Sequence, residues 1–131
     1  MAGSGRSQYQ ALRCIPGGRY FDDAPRLFGA LDTLHRHRGP ITCIIQGGGA
    51  GADELARSWA ILRRVPFDTY PADWTRLGRS AGPIRNREML ERSMPDVVVA
   101  FEGGAGTADT VRRALRAEIE IIEVEPVRGA A

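Results

Sequence analysis

Apolar runs and helical stripes alternate along this chain, with clusters of glycine between them. Ala11 to Ile15 is a short apolar run that stops at Pro16-Gly17-Gly18. Asp22 or Asp23 can cap a helix from Ala24 to His37, on which Leu27, Leu31 and Leu34, with Phe28 beside them, make one apolar face. Gly39-Pro40 ends that helix. Ile41 to Ile45 is a continuous run rich in β-branched residues, the pattern of a strand buried on both faces, and it enters Gly47-Gly48-Gly49-Ala50-Gly51. A second helix, from Asp53 to Arg64, carries Leu55, Trp59 and Leu62 on one face with Ala56 and Ala60 alongside. Phe67 to Tyr70 is a third strand, and Pro71 to Pro83 is a long loop with room for a helical turn. A third helix runs from Pro83 to Met94 and is stopped by Pro95. Asp96 to Phe101 is the clearest buried strand. It leads into Gly103-Gly104-Ala105-Gly106, a helix from Thr107 to Ala117, and a last strand from Ile119 to Val124.

Alternating strands and helices imply an α/β, Rossmann-like domain: an open parallel sheet of about five strands with helices on both faces and right-handed crossovers. The strand order expected is 3-2-1-4-5, which sets the loops after strands one and four on either side of the topological switch point. One domain spans residues 11–126, with short tails at 1–10 and 127–131.

Composition adds little and excludes some classes. The 131 residues include 18 basic and 16 acidic side chains, for a formal charge of +2, too small by itself to argue for nucleic acid. Every basic residue is arginine, so each cation is a planar fork suited to phosphate or carboxylate. No apolar run approaches the roughly 20 residues that a membrane helix needs, and the N-terminal stretch lacks the apolar core of a signal peptide. Cys14 and Cys43 lie inside apolar runs and read as reduced core residues of a cytoplasmic protein. His35 and His37 sit at the polar end of a helix, where cations suit the dipole. No metal site and no cofactor is expected.

The chemistry gathers at the glycines. Three clusters follow three strands, so all lie at the carboxyl edge of the sheet, where glycine admits a ligand close to the backbone and helix N-termini offer free N–H groups to an anion. No Gly-Lys-Ser/Thr loop and no full GxGxxG fingerprint is present. Asp53, opening the second helix, is either a charge that favours the helix dipole, worth at most about 1 kcal/mol, or an acceptor for ribose hydroxyls. Trp74 either stacks on a base or covers the core. Arg112, Arg113 and Arg116 read as a solvated face.

The segments GGRYFDD, QGGGAGADELARSWA, PADWTRLGRSAGPIRNREML and FEGGAGTADT, in this order, resemble the YspA-type branch of the SLOG superfamily, which also contains the Lonely Guy phosphoribohydrolases and the DNA-processing protein Smf/DprA. The match runs from Gly17 to Thr107. The resemblance implies a Rossmann-like fold and a nucleotide or nucleotide-derived ligand, with no settled activity for this branch. It marks Gly17, Gly18, Arg19, Gly47, Gly48, Gly51, Asp53, Trp74, Arg79, Gly82, Arg85, Asn86, Gly103, Gly104, Gly106 and Thr107 as ligand-binding candidates. In the Lonely Guy pattern an arginine four residues before a methionine, and a glutamate three after the threonine of GGxGT, assist cleavage of the N-glycosidic bond. Arg85 with Met89 fits the first element. Thr110 stands where the glutamate should be, and Asp109 lies one residue early, about 100° round the helix. Arg85 and Asp109 are therefore the catalytic candidates of a chain that departs from the hydrolase pattern. Ala50 replaces an arginine common among relatives of this branch.

These readings favour a binding or sensing module for a phosphate-bearing ligand. The alternatives are a phosphoribohydrolase acting on nucleoside monophosphates and a single-stranded DNA binder. The last needs a basic groove with stacking aromatics; only Tyr20, Phe21 and Trp74 offer platforms, so nucleic acid is not the expected partner. A homodimer is expected, because Lonely Guy relatives pair through helices beside the site. The helix from Pro83 to Met94, with Met89, Leu90 and Met94, also has apolar residues over more of its circumference than one sheet contact needs.

Overall fold

Ile44 and Ile45, and Val97, Val98 and Val99, are all buried, and neighbouring residues serve opposite faces of one sheet. That is why these strands are continuous apolar runs and do not alternate with polar residues. The computed structural model describes residues 12–126; the two expected tails, and Ala11, lie outside them. Strands β1 (Leu12–Cys14), β2 (Cys43–Gln46), β3 (Phe67–Thr69), β4 (Val97–Ala100) and β5 (Glu120–Glu123) form one sheet in the order β3-β2-β1-β4-β5. Every pairing in it is parallel. This is the α/β Rossmann-like architecture and strand order that the alternation of elements implies.

Helices α1 (Ala24–His37) and α2 (Ala52–Arg63) cover one face of the sheet. There Leu27, Leu31, Trp59 and Ala60 pack on Ile15, Ile44, Val97 and Val99. Helices α4 (Ala81–Ser93) and α5 (Ala105–Arg116) cover the other face, where Met89, Leu90 and Ala114 meet Cys14, Ile45 and Val98. Met89 and Leu90 are thus used inside the chain, while Met94, the C-cap residue that follows α4, is exposed. Burial pushes the Cys14 thiol up to about 12 and the half-buried Cys43 thiol up to about 11, as expected of inert core cysteines.

The helix boundaries follow local chemistry. Asp23, not Asp22, caps α1, its carboxylate accepting from Arg26 N at 3.1 Å. The β2 ladder begins two residues later than the apolar run, at Cys43. Ile41 is buried, yet its N–H donates to His35 Nδ1 at 2.9 Å instead of to a neighbouring strand. The same imidazole stands edge-on to Trp59, so His35 joins α1 to the sheet and does not merely end a helix. Trp59 Nε1 donates to Asp32 at 2.9 Å, and Arg63 grips both oxygens of that carboxylate. Arg63 above all, with Trp59, holds the Asp32 carboxyl down to about 2 against its partial burial. Helix α4 starts at Ala81, two residues before Pro83, because proline is tolerated anywhere in a first turn where its missing N–H would lack a partner. The long loop contains α3 (Trp74–Leu77), capped by Asp73, and a 3-10 turn at Gly78–Ser80.

Candidate functional site

The loops after β1, β2 and β4 meet at the carboxyl edge and are hydrogen-bonded to one another. Gly18 N donates to Glu102 O at 2.9 Å, Ala52 N to Gly18 O at 3.1 Å and Phe101 N to Pro16 O at 3.0 Å. This close packing accounts for many of the glycines. A side chain at Gly17 would collide with Ala52, one at Gly103 with Thr107 and the backbone of Gly18, and one at Gly51, which has a φ of 72°, with the backbone of Gly18 and Arg19. Gly47 lies between the Arg85 guanidinium and the Asp53 carboxylate, leaving no room for a Cβ. Gly104 and Gly106 differ: a Cβ on either would meet no atom within 4 Å.

The two helix N-termini at this edge are not equivalent. At α2, Asp53 turns back and its Oδ2 accepts from Gly49 N at 2.9 Å. With Glu54 beside it, the first turn carries two acids, so the positive end of α2 is already answered by the chain's own carboxylates. Helix α5 opens on Gly104 with no side-chain cap and no acid in its first turn. Its amides are therefore the ones left to face an anion.

Burial pushes the Asp53 carboxyl above its usual range, while the Gly49 and Gly47 amides and the charges of Arg85 and Arg57 pull it partly back. A carboxyl raised by folding binds its proton more tightly in the folded state, so its contribution is most favourable below the ordinary carboxylate range. That contribution is lost as pH rises through the raised value. Asp53→Asn, which keeps an oxygen for Gly49, is therefore expected to lose less stability than the wild type as pH rises from the ordinary carboxylate range through the raised value. Urea titrations of both proteins across that range check this, and parallel profiles would contradict it.

Arg85 reaches under the β2 loop. Its Nη1 donates to Gly47 O at 2.9 Å and Tyr70 O at 3.3 Å, and its Nε to Asn86 Oδ1 at 2.8 Å. Asn86 is 2% exposed and spends its amide on Gly106 O and Asp109 Oδ2, at 3.2 and 3.0 Å. Asn86 thus positions the α5 N-terminus against Arg85. Asp109 also accepts from Arg112 at 3.2 Å and Arg113 at 2.8 Å. Burial raises its carboxyl, but the bonds from Arg113 and Asn86, with the Arg113 and Arg112 charges, outweigh that and hold it below the usual range. Arg112 and Arg113 are accordingly tied to Asp109 and are not simply a solvated face. Thr110 is 2% exposed and bonded to Gly106 O.

Other expected residues stand at the rim. Arg19 is exposed and stacks on Tyr20 at 5.5 Å, and Arg79 is exposed in the 3-10 turn. Trp74 is 59% exposed, with one ring edge 3.2 Å from where a Gly82 Cβ would stand, so Gly82 seats the indole. Three residues were missed from sequence. Gln46, fully buried, accepts from Gly48 N at 2.6 Å and holds the β2 loop. Arg57 Nη1 donates to Gln46 Oε1 at 2.9 Å and reaches Gly49 O at 3.4 Å, bringing a guanidinium to the loop in which Ala50 offers none. Its position four residues after Asp53 on one helix face was the available signal. Glu102, a third acid at the glycine edge, is gripped at both oxygens by Arg26, which also reaches Asp23 and Val124 O.

A recess of about 460 Å³ begins at Gly103, Gly104 and Thr107 and runs outward between α5 and the end of β5, away from the β1–β4 crevice. Its far half is lined by Val111, Leu115 and Val124 with Glu123 and Glu125, acids that repel phosphate, and with Arg112, whose charge is paired with Asp109. The candidate site is therefore the convergence of Asp53, Arg85 and the α5 amides and not this recess. Among the described residues, no group of three or more His, Cys, Asp or Glu is placed to hold a metal ion, and no helix is long and apolar enough to cross a membrane.

The model of the YspA, cpYpsA-related SLOG family matches residues 14–77. The Gene 61 protein of Mycobacterium phage D29 is 38% identical over 116 residues, which cover 82% of this chain and 91% of that protein. The chain belongs to the YspA, cpYpsA-related SLOG family. Two solved structures share the fold of this SLOG chain at low identity. DNA processing protein A (DprA) from Streptococcus pneumoniae superposes with a TM-score of 0.70 at 16% identity, over 92% of this chain and 52% of that one. The SLOG chain thus spans about half the length of that protein. The Moco Carrier Protein from Chlamydomonas reinhardtii gives 0.57 at 15% identity, over 88% of this chain and 76% of that one.

Proposed function

We propose that this SLOG chain binds a nucleotide or nucleotide-derived molecule by its phosphate at the N-terminus of α5 and serves as a binding or sensing module without turnover. The observation that supports this best is the asymmetry between the two helix ends. The α2 end carries Asp53 and Glu54 in its first turn, while the α5 end carries no acid there and is open at Gly104 and Gly106. In this reading Asp53 accepts from a sugar hydroxyl, Arg85 and Asn86 hold the floor of the site, and the exposed rings of Tyr20 and Trp74 offer stacking faces to a base. A structural neighbour named as a carrier for Moco accords with a ligand-holding role for the fold.

The commitments of Asp109 and Thr110 support the reading without turnover. Cleaving an N-glycosidic bond develops oxocarbenium character, which a nearby carboxylate stabilises. Asp109 is committed to Asn86, Arg112 and Arg113, and Thr110 is buried where the hydrolase pattern has glutamate.

Calorimetry is expected to show saturable binding of AMP and far weaker binding of adenosine, with no adenine released on chromatography after long incubation. Equal binding of the two would remove the phosphate from the reading. Adenine release that Asp109→Asn stops would make the chain a phosphoribohydrolase. The likeness to a DNA processing protein, together with the exposed aromatics, supports a second reading. A short single-stranded oligonucleotide that outcompetes AMP would favour it.

A further inference from the structure

Two recesses of similar size flank the same edge strand on opposite faces of the sheet. One, of about 460 Å³, lies between α5 and the end of β5; the other, of about 430 Å³, lies between α1 and β5. Ile122 faces the α1 side, packing partly on that core, while Ile119 and Ile121 face the α5 side and Glu123 shares their parity; Val124, past the end of β5, packs on the α1-side core and lines both recesses. Val124 N donates inward to Ala100 O at 2.9 Å. By the alternation of a strand, the peptide groups of Ile121 and Glu123 then point outward, to the edge where the sheet ends.

From these observations we infer that β5 is a docking edge for an extended peptide strand, apolar on the face towards α1 and carrying arginine or lysine on the face towards α5. A sixth strand beside β5 drops alternate side chains into the two recesses, which is the arrangement of space found here. Acids alone suffice to keep an edge from self-pairing, and they need no recess on either face. The α1 recess is lined by Ala30, Leu34, Ile122 and Val124 and suits apolar side chains. The α5 recess sets Glu123 and Glu125 beside Val111 and Leu115, with the charge of its one arginine, Arg112, paired to Asp109, and so matches a cationic head on an aliphatic stem.

Charge selects the occupant. Residues 118–125 contain Glu118, Glu120, Glu123 and Glu125 and no cation. Glu120 is paired with Arg38 at 2.7 Å. A second copy pairing antiparallel must set residues of like parity opposite one another, so its axis passes through Ile121 or Ile122. An axis through either isoleucine would set these carboxylates against Ile or Val. Neither register sets a described cation opposite them, whereas an arginine or lysine of a basic strand would stand there.

The probe is an acetylated, amidated peptide of alternating valine and arginine, with a valine–glutamate peptide as control. The basic peptide is expected to slow amide hydrogen exchange at Ile121 and Glu123 and to bind with an affinity that falls as salt is raised, while the acidic one does neither. Glu123→Pro removes an outward N–H and a carboxylate while sparing the pairing to β4, and is expected to weaken binding at least tenfold. Glu123→Arg, which keeps the N–H and reverses the charge, replaces it if the proline variant does not fold. Three results would overturn the inference: no protection at these amides with the basic peptide, unchanged affinity in these variants, or a dimer in sedimentation that Glu123→Pro dissociates. None of these depends on what binds at the glycine edge.

Discussion

Gly104→Val is expected to lower AMP affinity at least a hundredfold and the melting temperature by only a few degrees, the cost of a poorer N-cap. Both halves have a geometric basis. A Cβ at Gly104 meets nothing within 4 Å and the residue's φ is negative, at −97°, so no neighbouring group stands in the way of the side chain. The branched group would, however, stand over the α5 amides, where phosphate oxygens must approach. Losing two charge-assisted hydrogen bonds, each worth about 1.5–3 kcal/mol, is a loss of roughly a hundredfold or more. Gly103→Ala is the instructive contrast. Its methyl would meet Thr107 and stand 2.7 Å from Gly18 N, so it disturbs the contact between the β1 and β4 loops and lowers stability as well as binding. Calorimetry and thermal melting on the two variants separate a ligand seat from a packing requirement. If Gly104→Val binds AMP as the wild type does, the phosphate is not at α5.

Thr110→Glu is expected to cost on the order of 3–5 kcal/mol of stability and to create no hydrolase. The hydrolase pattern alone makes this substitution look like a repair. The tertiary structure makes it an insult to the packing between α4 and α5. Thr110 is buried, its hydroxyl bonded to Gly106 O, one residue from the network of Asn86, Asp109 and Arg113. A longer side chain must either force the helices apart or leave its carboxyl protonated among apolar neighbours. A drop in melting temperature of roughly 10 °C or more is the corresponding observation. A variant as stable as the wild type that releases adenine from AMP would show that the side chain reaches the ligand, and would reopen the catalytic reading.

The strands and their order were legible in the residues, because their pattern has a local cause. A parallel strand buried on both faces must be apolar at every position, and the runs at Ile44-Ile45 and Val97–Val99 have no other physical use. Three glycine clusters, each after a strand, placed the candidate edge for the same reason, since the direction of a parallel strand fixes the end on which its loop emerges. What the glycines were for was not legible. A glycine spared for a ligand and one spared for a neighbouring backbone look identical in sequence; only the approach of the β1 loop to the other two assigns Gly17, Gly51 and Gly103 to packing and leaves Gly104 open. Charge pairing was hidden likewise. Asp53 and Asp109 both read as acids near a site, yet one caps the β2 loop and the other is locked between α4 and α5. Arg57 and Glu102 take their partners from distant or unremarkable positions. Periodicity records whether a residue faces in or out. Which partner it meets is set by how the elements pack, and that depends on contacts between residues far apart in the chain.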